Sequence, residues 1–138
     1  EDEVIHAAKK AGIYNNIKQF KNQFKTIIGE RGVTLSGGQK QRLSIARALI
    51  RKPKIMLLDD CLSAVDTKTE ELILNNIKEQ SQNNTCIIIS HRISSIKHAD
   101  QIILLKQGEI LEQGDHNTLL KNNGEYSKIF KKQLAESK

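Results

Sequence analysis

Two short runs of unbroken aliphatic residues, Ile55-Met56-Leu57-Leu58 and Ile87-Ile88-Ile89, constrain the fold of this chain more than any other feature. Each run is too short for a helix and has no polar alternation, so each predicts a strand buried on both faces of a sheet. The second strand extends from Thr85 to Ser90, after a turn at Asn83-Asn84. Between the two, from about Thr67 to Gln80, a helix is expected with Leu72, Ile73 and Ile77 facing inward. Strand, helix and strand at these lengths make a βαβ unit with parallel strands and a right-handed crossover. That connection brings both carboxyl ends to one edge, where ligands of open α/β sheets bind. The residues delivered there are Asp59 and Asp60 from the first strand and Ser90 and His91 from the second.

The flanking segments complete an α/β chain of one domain's length, 138 residues. Asp2 to Ala11 reads as an amphipathic helix stopped near Gly12, and Ile13 to Phe24 continues at helical spacing through Ile17, Phe20 and Phe24. Thr26 to Gly32 breaks the pattern as a loop. A further helix opens at Ser36, runs to Ile50 with apolar residues on more than one side, and is halted by Lys52-Pro53. Downstream, Gln101 to Leu105 and Glu109 to Gln113 flank Gly108 as a hairpin, and Asp115 to Lys121 and Gly124 to Ala135 predict two closing helices.

Composition excludes several classes. No apolar run approaches the length of a membrane span, and Glu1-Asp2-Glu3 is acidic where the basic start of a signal peptide would sit. Cys61 and Cys86 show neither zinc spacing nor a redox pair, so a reducing compartment is expected. The formal charge of +6 comes mostly from Lys scattered beside Asn and Gln, and only 4% of residues are aromatic. That is a solvated surface rather than a nucleic-acid groove, and no nucleic-acid partner is expected.

Ser36 and Gln39 have the spacing of a capping box, which is sufficient to explain a helix start. Gly37 and Gly38 are not explained by it, because each costs roughly 1 kcal/mol against Ala inside a helix. Two glycines in a first turn allow a ligand to approach free backbone N–H groups, and an anion is the ligand those groups favour. The Asp59-Asp60 pair has two readings. It either begins a turn or presents carboxylates for a hydrated magnesium ion and an attacking water. His91 after a strand is equally ambiguous alone; His6, His98 and His116 are given no role.

In combination these segments resemble the C-terminal part of the nucleotide-binding domain of an ATP-binding cassette (ABC) transporter. Leu35-Ser36-Gly37-Gly38-Gln39 matches the family signature without alteration. Ile55 to Asp59 resembles the Walker B strand, Ser63-Ala64-Val65-Asp66 the D-loop, and His91 the switch histidine. Gly29-Glu30-Arg31-Gly32 resembles the X-loop of ABC exporters, which faces the transmembrane coupling helices. The likeness implies a helical subdomain segment over about residues 1–52. It implies a P-loop-NTPase-like, mainly parallel sheet with flanking helices over about 53–138. Its further implications are ATP and Mg2+ as cofactors and transport-coupled ATPase activity in the longer protein. A second nucleotide-binding domain and a transmembrane domain would be its partners, at the cytoplasmic face of a membrane. Residue by residue, Ser36, Gly37, Gly38 and Gln39 would contact ATP held mainly by the opposite subunit, and Asp59 would bind magnesium through water. Asp60 and His91 would serve hydrolysis, Ser63 and Asp66 would lie at the dimer interface, and Glu30, Arg31 and Gly32 would couple to the membrane part.

Two departures qualify the likeness. Gly32 to Gly37 has the spacing of a Walker A loop, but Gly38-Gln39 follows where Lys and Ser or Thr are required. The family places Walker A, the adenine-stacking aromatic and the Q-loop upstream of the signature, so the chain is expected to be a fragment, inactive alone. Asp60 stands where most members carry Glu, and its carboxylate would sit roughly 1 to 1.5 Å farther from the water. Heterodimeric exporters pair one such weakened site with a competent one. Two other readings remain: a non-catalytic module lending its signature in trans, and a soluble ABC ATPase of chromosome maintenance.

Overall fold

Acidic residues open the first helix of the computed structural model and basic residues close it, as the helix dipole favours. This is α1 (Asp2–Lys10), with Asp2 and Glu3 in the first turn and Lys9 and Lys10 in the last. The structure describes residues 1–29, 33–80 and 84–136, so Glu30, Arg31, Gly32 and Asn83 lie outside the described residues. The chain divides into two compact units, Glu1–Ile89 and Ser90–Lys138.

In the first unit, the continuous helix expected over Ile13 to Phe24 is broken. Helix α2 covers only Tyr14–Gln19; Phe20 is extended, and a 3-10 turn follows at Gln23–Lys25. Asn15, Asn16 and Asn22 are weak helix formers that compete for backbone groups. The break turns Phe20 and Phe24 onto the core, where Phe24 meets the Tyr14 ring at 6.1 Å between centroids. Helix α3 (Gly37–Leu49) begins directly after its cap Ser36 and buries Ile45, Ala46 and Leu49. Strand β1 (Ile55–Asp59), helix α4 (Thr67–Gln80) and strand β2 (Thr85–Ile89) form the expected βαβ unit, β1 pairing parallel with β2 from Ile55↔Thr85 to Asp59↔Ile89.

Burial on both faces of these strands is not observed. Met56 and Leu58 face a core shared with Ile45, Leu49, Ile73 and Ile77. Ile55 and Leu57 are 67% and 62% exposed, and Ile87 and Ile89 beside them are also exposed. Side chains alternate across a strand, so a single packed layer covers only every second residue. Four aliphatic side chains on one open sheet face are an association surface. The 138-residue chain alone is therefore expected to sediment as concentration-dependent oligomers, and Leu57→Lys with Ile87→Lys to move it toward monomer. A monodisperse wild-type monomer would count against this.

The second unit begins at Ser90, and Arg92 precedes a one-turn helix, α5 (Ile93–Ile96), too short for periodicity to reveal. Strands β3 (Ile102–Lys106) and β4 (Glu109–Gly114) pair antiparallel. Gln107 and Gly108, at φ +54° and +84°, make the two-residue turn with both φ positive that suits a twisted hairpin. Leu111 is the extra residue of a bulge, since Leu104 opposes Glu112 and Leu105 opposes Ile110. Helices α6 (His116–Lys121) and α7 (Glu125–Glu136) close the unit over Ile93, Ile102, Leu119 and Tyr126. His116 Nδ1 lies 2.7 Å from the Tyr126 hydroxyl, and the Glu112 carboxylate accepts the Glu125 N–H at the start of α7.

Two aspartates cap helices. Asp66 Oδ1 accepts the Thr69 N–H at 3.0 Å, and Asp115 Oδ1 accepts those of Asn117 and Thr118. Hydrogen bonds from the Thr69 backbone and side chain hold Asp66 below its ordinary pKa, and those from the Thr118 side chain and backbone do the same for Asp115. Depressed folded-state values mean this stabilisation is present above the ordinary aspartate value of 3.8 and is lost as pH falls through the lower folded value. Asn caps nearly as well without titrating. Asp66→Asn and Asp115→Asn should therefore fall below wild type in urea midpoint at neutral pH and draw level in acid.

Candidate functional site

The capping box is formed in full. Ser36 Oγ accepts the Gln39 N–H at 3.3 Å, and Gln39 Oε1 accepts the Ser36 N–H at 3.0 Å. The first intrahelical bond runs from the Lys40 N–H to the Ser36 carbonyl, so Gly37 and Gly38 present N–H groups that helix geometry leaves without a partner. The first turn holds no acidic residue. This helix start is an ordered, positively polarised end of a 13-residue helix, suited to an anion.

That end of α3 is pressed against the loop after β1. A Cβ on Gly38 would lie 2.6 Å from the Ala64 carbonyl oxygen, whereas one on Gly37 would make ordinary contact with Ala64 Cβ at 3.7 Å. Gly38 is thus required inside the chain, beside any ligand-facing role it shares with Gly37. Gln41, one turn farther along α3, reaches the same loop. Its Nε2 donates to Ser63 Oγ at 3.0 Å and lies 3.5 Å from the Asp60 carbonyl, while its Oε1 accepts the Ala64 N–H at 2.9 Å. Ser63 Oγ donates in turn to the Asp60 carbonyl at 3.0 Å.

Asp59 ends β1 with its side chain exposed. Asp60 follows at φ +43°, its N–H bonded to the Ile89 carbonyl at 2.9 Å. The left-handed region is one that Asp and Asn tolerate better than most residues. Among the described residues no three His, Cys, Asp or Glu converge on a point. A metal at Asp59 would therefore take at most two such groups from the described residues and would need water or phosphate oxygen besides. That donor set fits Mg2+, which keeps waters and binds through one or two carboxylates beside nucleotide phosphates.

The first unit thus brings together Ser36, Gly37, Gly38, Gln39, Asp60 and Ser63, with Asp59 and Asp66 at the ends of the same loop. Asp66 has a structural duty as the cap of α4. His91 stands in the second unit, where its carbonyl accepts from Gln133 Nε2 at 2.7 Å and Arg92 N–H is held by Ser90 Oγ. The expected coupling residues Glu30, Arg31 and Gly32 lie outside the described residues. Gln41 was missed by sequence reasoning. Its signal was a long polar side chain three and four residues after the two glycines, hence on their face of the helix.

A family model described as ABC transporter matches residues 1–63. The leukotoxin translocation ATP-binding protein LktB of Pasteurella haemolytica-like sp. (strain 5943B) is 48% identical over 134 residues, 96% of this chain. The chain belongs to the ABC transporter family. LktB proteins of Mannheimia haemolytica and Bibersteinia trehalosi are 47% identical over the same share. A solved structure of a bacterial Atm1-family ABC exporter with ATP bound superposes with a TM-score of 0.87 at 42% identity, covering 96% of this chain and 23% of that one. The fold is accordingly part of an ABC exporter ATPase domain, with mixed α/β structure and a small parallel sheet. The chain spans about a fifth, 19%, of the length of these ABC relatives. No described helix is long and apolar enough to cross a membrane.

Proposed function

We propose that this chain is the C-terminal portion of the ATP-hydrolysing domain of an ABC exporter, which couples ATP binding and hydrolysis at a dimer of such domains to export across a membrane. The observation that carries this reading is the capped, glycine-opened start of α3 packed on the loop that follows the Asp59 strand end. The names of the relatives, a leukotoxin translocation protein and an Atm1-family exporter, support export over chromosome maintenance. The proposed division is a helical segment over about residues 1–52 and a Walker B, D-loop and switch-histidine region over about 53–138. The partners are a second nucleotide-binding domain and a transmembrane domain, met at the cytoplasmic face.

In this reading ATP sits mainly on the opposite subunit. Ser36 and the free N–H groups of Gly37 and Gly38 receive its terminal phosphate, Gln39 holding the first turn in shape. At the ATP of this chain's own subunit, Mg2+ would neutralise phosphate charge, and Asp59 is the carboxylate that would hold it through water. Asp60 orients the attacking water and His91 reaches the γ-phosphate. Ser63 and Asp66 lie at the dimer interface, and Glu30, Arg31 and Gly32 face the membrane part.

The test is ATP hydrolysis by the 138-residue chain alone, and after mixing with a full-length partner nucleotide-binding domain. Silence alone with stimulation of the partner supports a signature acting in trans. Hydrolysis by the chain alone would mean a phosphate site other than the one described. No effect on the partner would overturn the reading.

A further inference from the structure

We infer that Gln41 is a positioning residue of the hydrolytic site, clamping the Asp60–Ala64 turn to the signature helix so that the γ-phosphate contacts and the Walker B carboxylates keep one fixed geometry. The inference rests on the function proposed above. Its geometric part stands independently.

A single side-chain amide serves both ends of the turn. Its oxygen takes the Ala64 N–H at 2.9 Å and its nitrogen gives a proton to Ser63 Oγ at 3.0 Å. The amide's orientation is unambiguous, because a backbone N–H can only donate and must face the oxygen. Ser63 then uses its own proton on the Asp60 carbonyl at 3.0 Å, so the chain of donors runs from α3 to the residue beside Asp59 without a gap. Gly38 closes the other side, its backbone against the Ala64 carbonyl with no room for a Cβ. The turn is thus gripped at Asp60, Ser63 and Ala64 by a helix whose first turn would touch the nucleotide.

The turn has reason to need a grip. Asp60 sits at φ +43°, a conformation that costs a non-glycine residue energy and persists where surroundings impose it. The hydrogen bonds from Gln41 and Ser63 meet at its backbone carbonyl. The Cys61–Asp66 loop has a hydrophobic anchor in Leu62 and Val65, both buried, while Ser63 and Ala64 between them are exposed. The clamp acts on that exposed middle.

Two variants separate positioning from stability. Gln41→Ala removes both arms. Gln41→Glu keeps the acceptor for the Ala64 N–H but loses the proton donated to Ser63. Both are made in the full-length protein and compared with wild type for kcat, KM for ATP, melting temperature and amide exchange at Ala64. Exchange at Ala64 should rise in Gln41→Ala and stay low in Gln41→Glu. The Ala variant should lose roughly tenfold in kcat with KM little changed, and the Glu variant should recover part of it. Raised exchange with unchanged kcat overturns the positioning role. Unchanged exchange in Gln41→Ala overturns the clamp itself. A fall in kcat matched by a loss of melting temperature, without rescue by Glu, reduces Gln41 to a stability residue and also overturns it. A wild-type full-length protein with no ATPase activity is a different result: it overturns the proposed function and the inference's catalytic half, while the exchange data still decide the clamp.

Discussion

Gly38→Ala is expected to destabilise the first unit by about 1–3 kcal/mol, the range for forcing a methyl group into filled space. The added Cβ would lie 2.6 Å from the Ala64 carbonyl oxygen, and the obstacle is backbone, which cannot rotate away as a side-chain tip can. Gly37→Ala provides an internal control. Both substitutions carry the same gain in helix propensity, at most about 1 kcal/mol. At Gly37, however, the new methyl meets only Ala64 Cβ at 3.7 Å, so the gain is kept. Urea unfolding should move the two midpoints in opposite directions. The measurement belongs in the Leu57→Lys, Ile87→Lys background, where the open sheet face no longer drives association. Equal midpoints would mean that α3 and the Ala64 loop do not meet as described. In the full-length protein, Gly37→Ala should still impair ATP turnover, since its methyl stands beside an N–H group proposed to receive phosphate.

Asp60→Glu in the full-length protein is expected to raise turnover at the site it belongs to, by up to about 10²-fold. The added methylene carries the carboxylate roughly 1 to 1.5 Å farther toward the water. The structure attaches a cost to this gain. Asp60 sits at φ +43°, where Asp is tolerated and a longer side chain is disfavoured by roughly 1 kcal/mol. Higher activity should therefore come with lower stability. Asp60→Asn, which keeps the backbone preference and removes the charge, should do the reverse. An exporter that pairs a weak with a competent site has a use for Asp here. Unchanged turnover in Asp60→Glu would show that this carboxylate does not limit the rate.

Helix and strand placement was largely legible because it depends on local periodicity. The Ser36–Gln39 box marks a helix start to the residue, and the stripe of Thr67–Gln80 holds for the buried Ile73 and Ile77 but not for Leu72, which is 49% exposed. Where local signals were weak, the reading failed. Ile13 to Phe24 keeps helical spacing, yet Phe20 and Phe24 pack on the core from outside the helix. The four residues of α5 are too few to show a period. The candidate site divides in the same way: Ser36, Asp59, Asp60 and His91 were found as residue types at element ends, whereas Gln41 was found only through its contacts.

The sequence by itself determined the family and the α/β class, and it marked Ser36, Asp59, Asp60 and His91 as candidates, because each is written in short-range pattern or in a motif. Only the tertiary structure decided what each pattern meets. It placed Ala64 against Gly38, gave Gln41 three polar neighbours some twenty positions away in the chain, and left Ile55, Leu57, Ile87 and Ile89 without a covering layer. Apolar runs state that burial is favourable, but which face is covered depends on what else packs there. A glycine states that a Cβ is unwelcome, but only a neighbouring carbonyl at 2.6 Å states why.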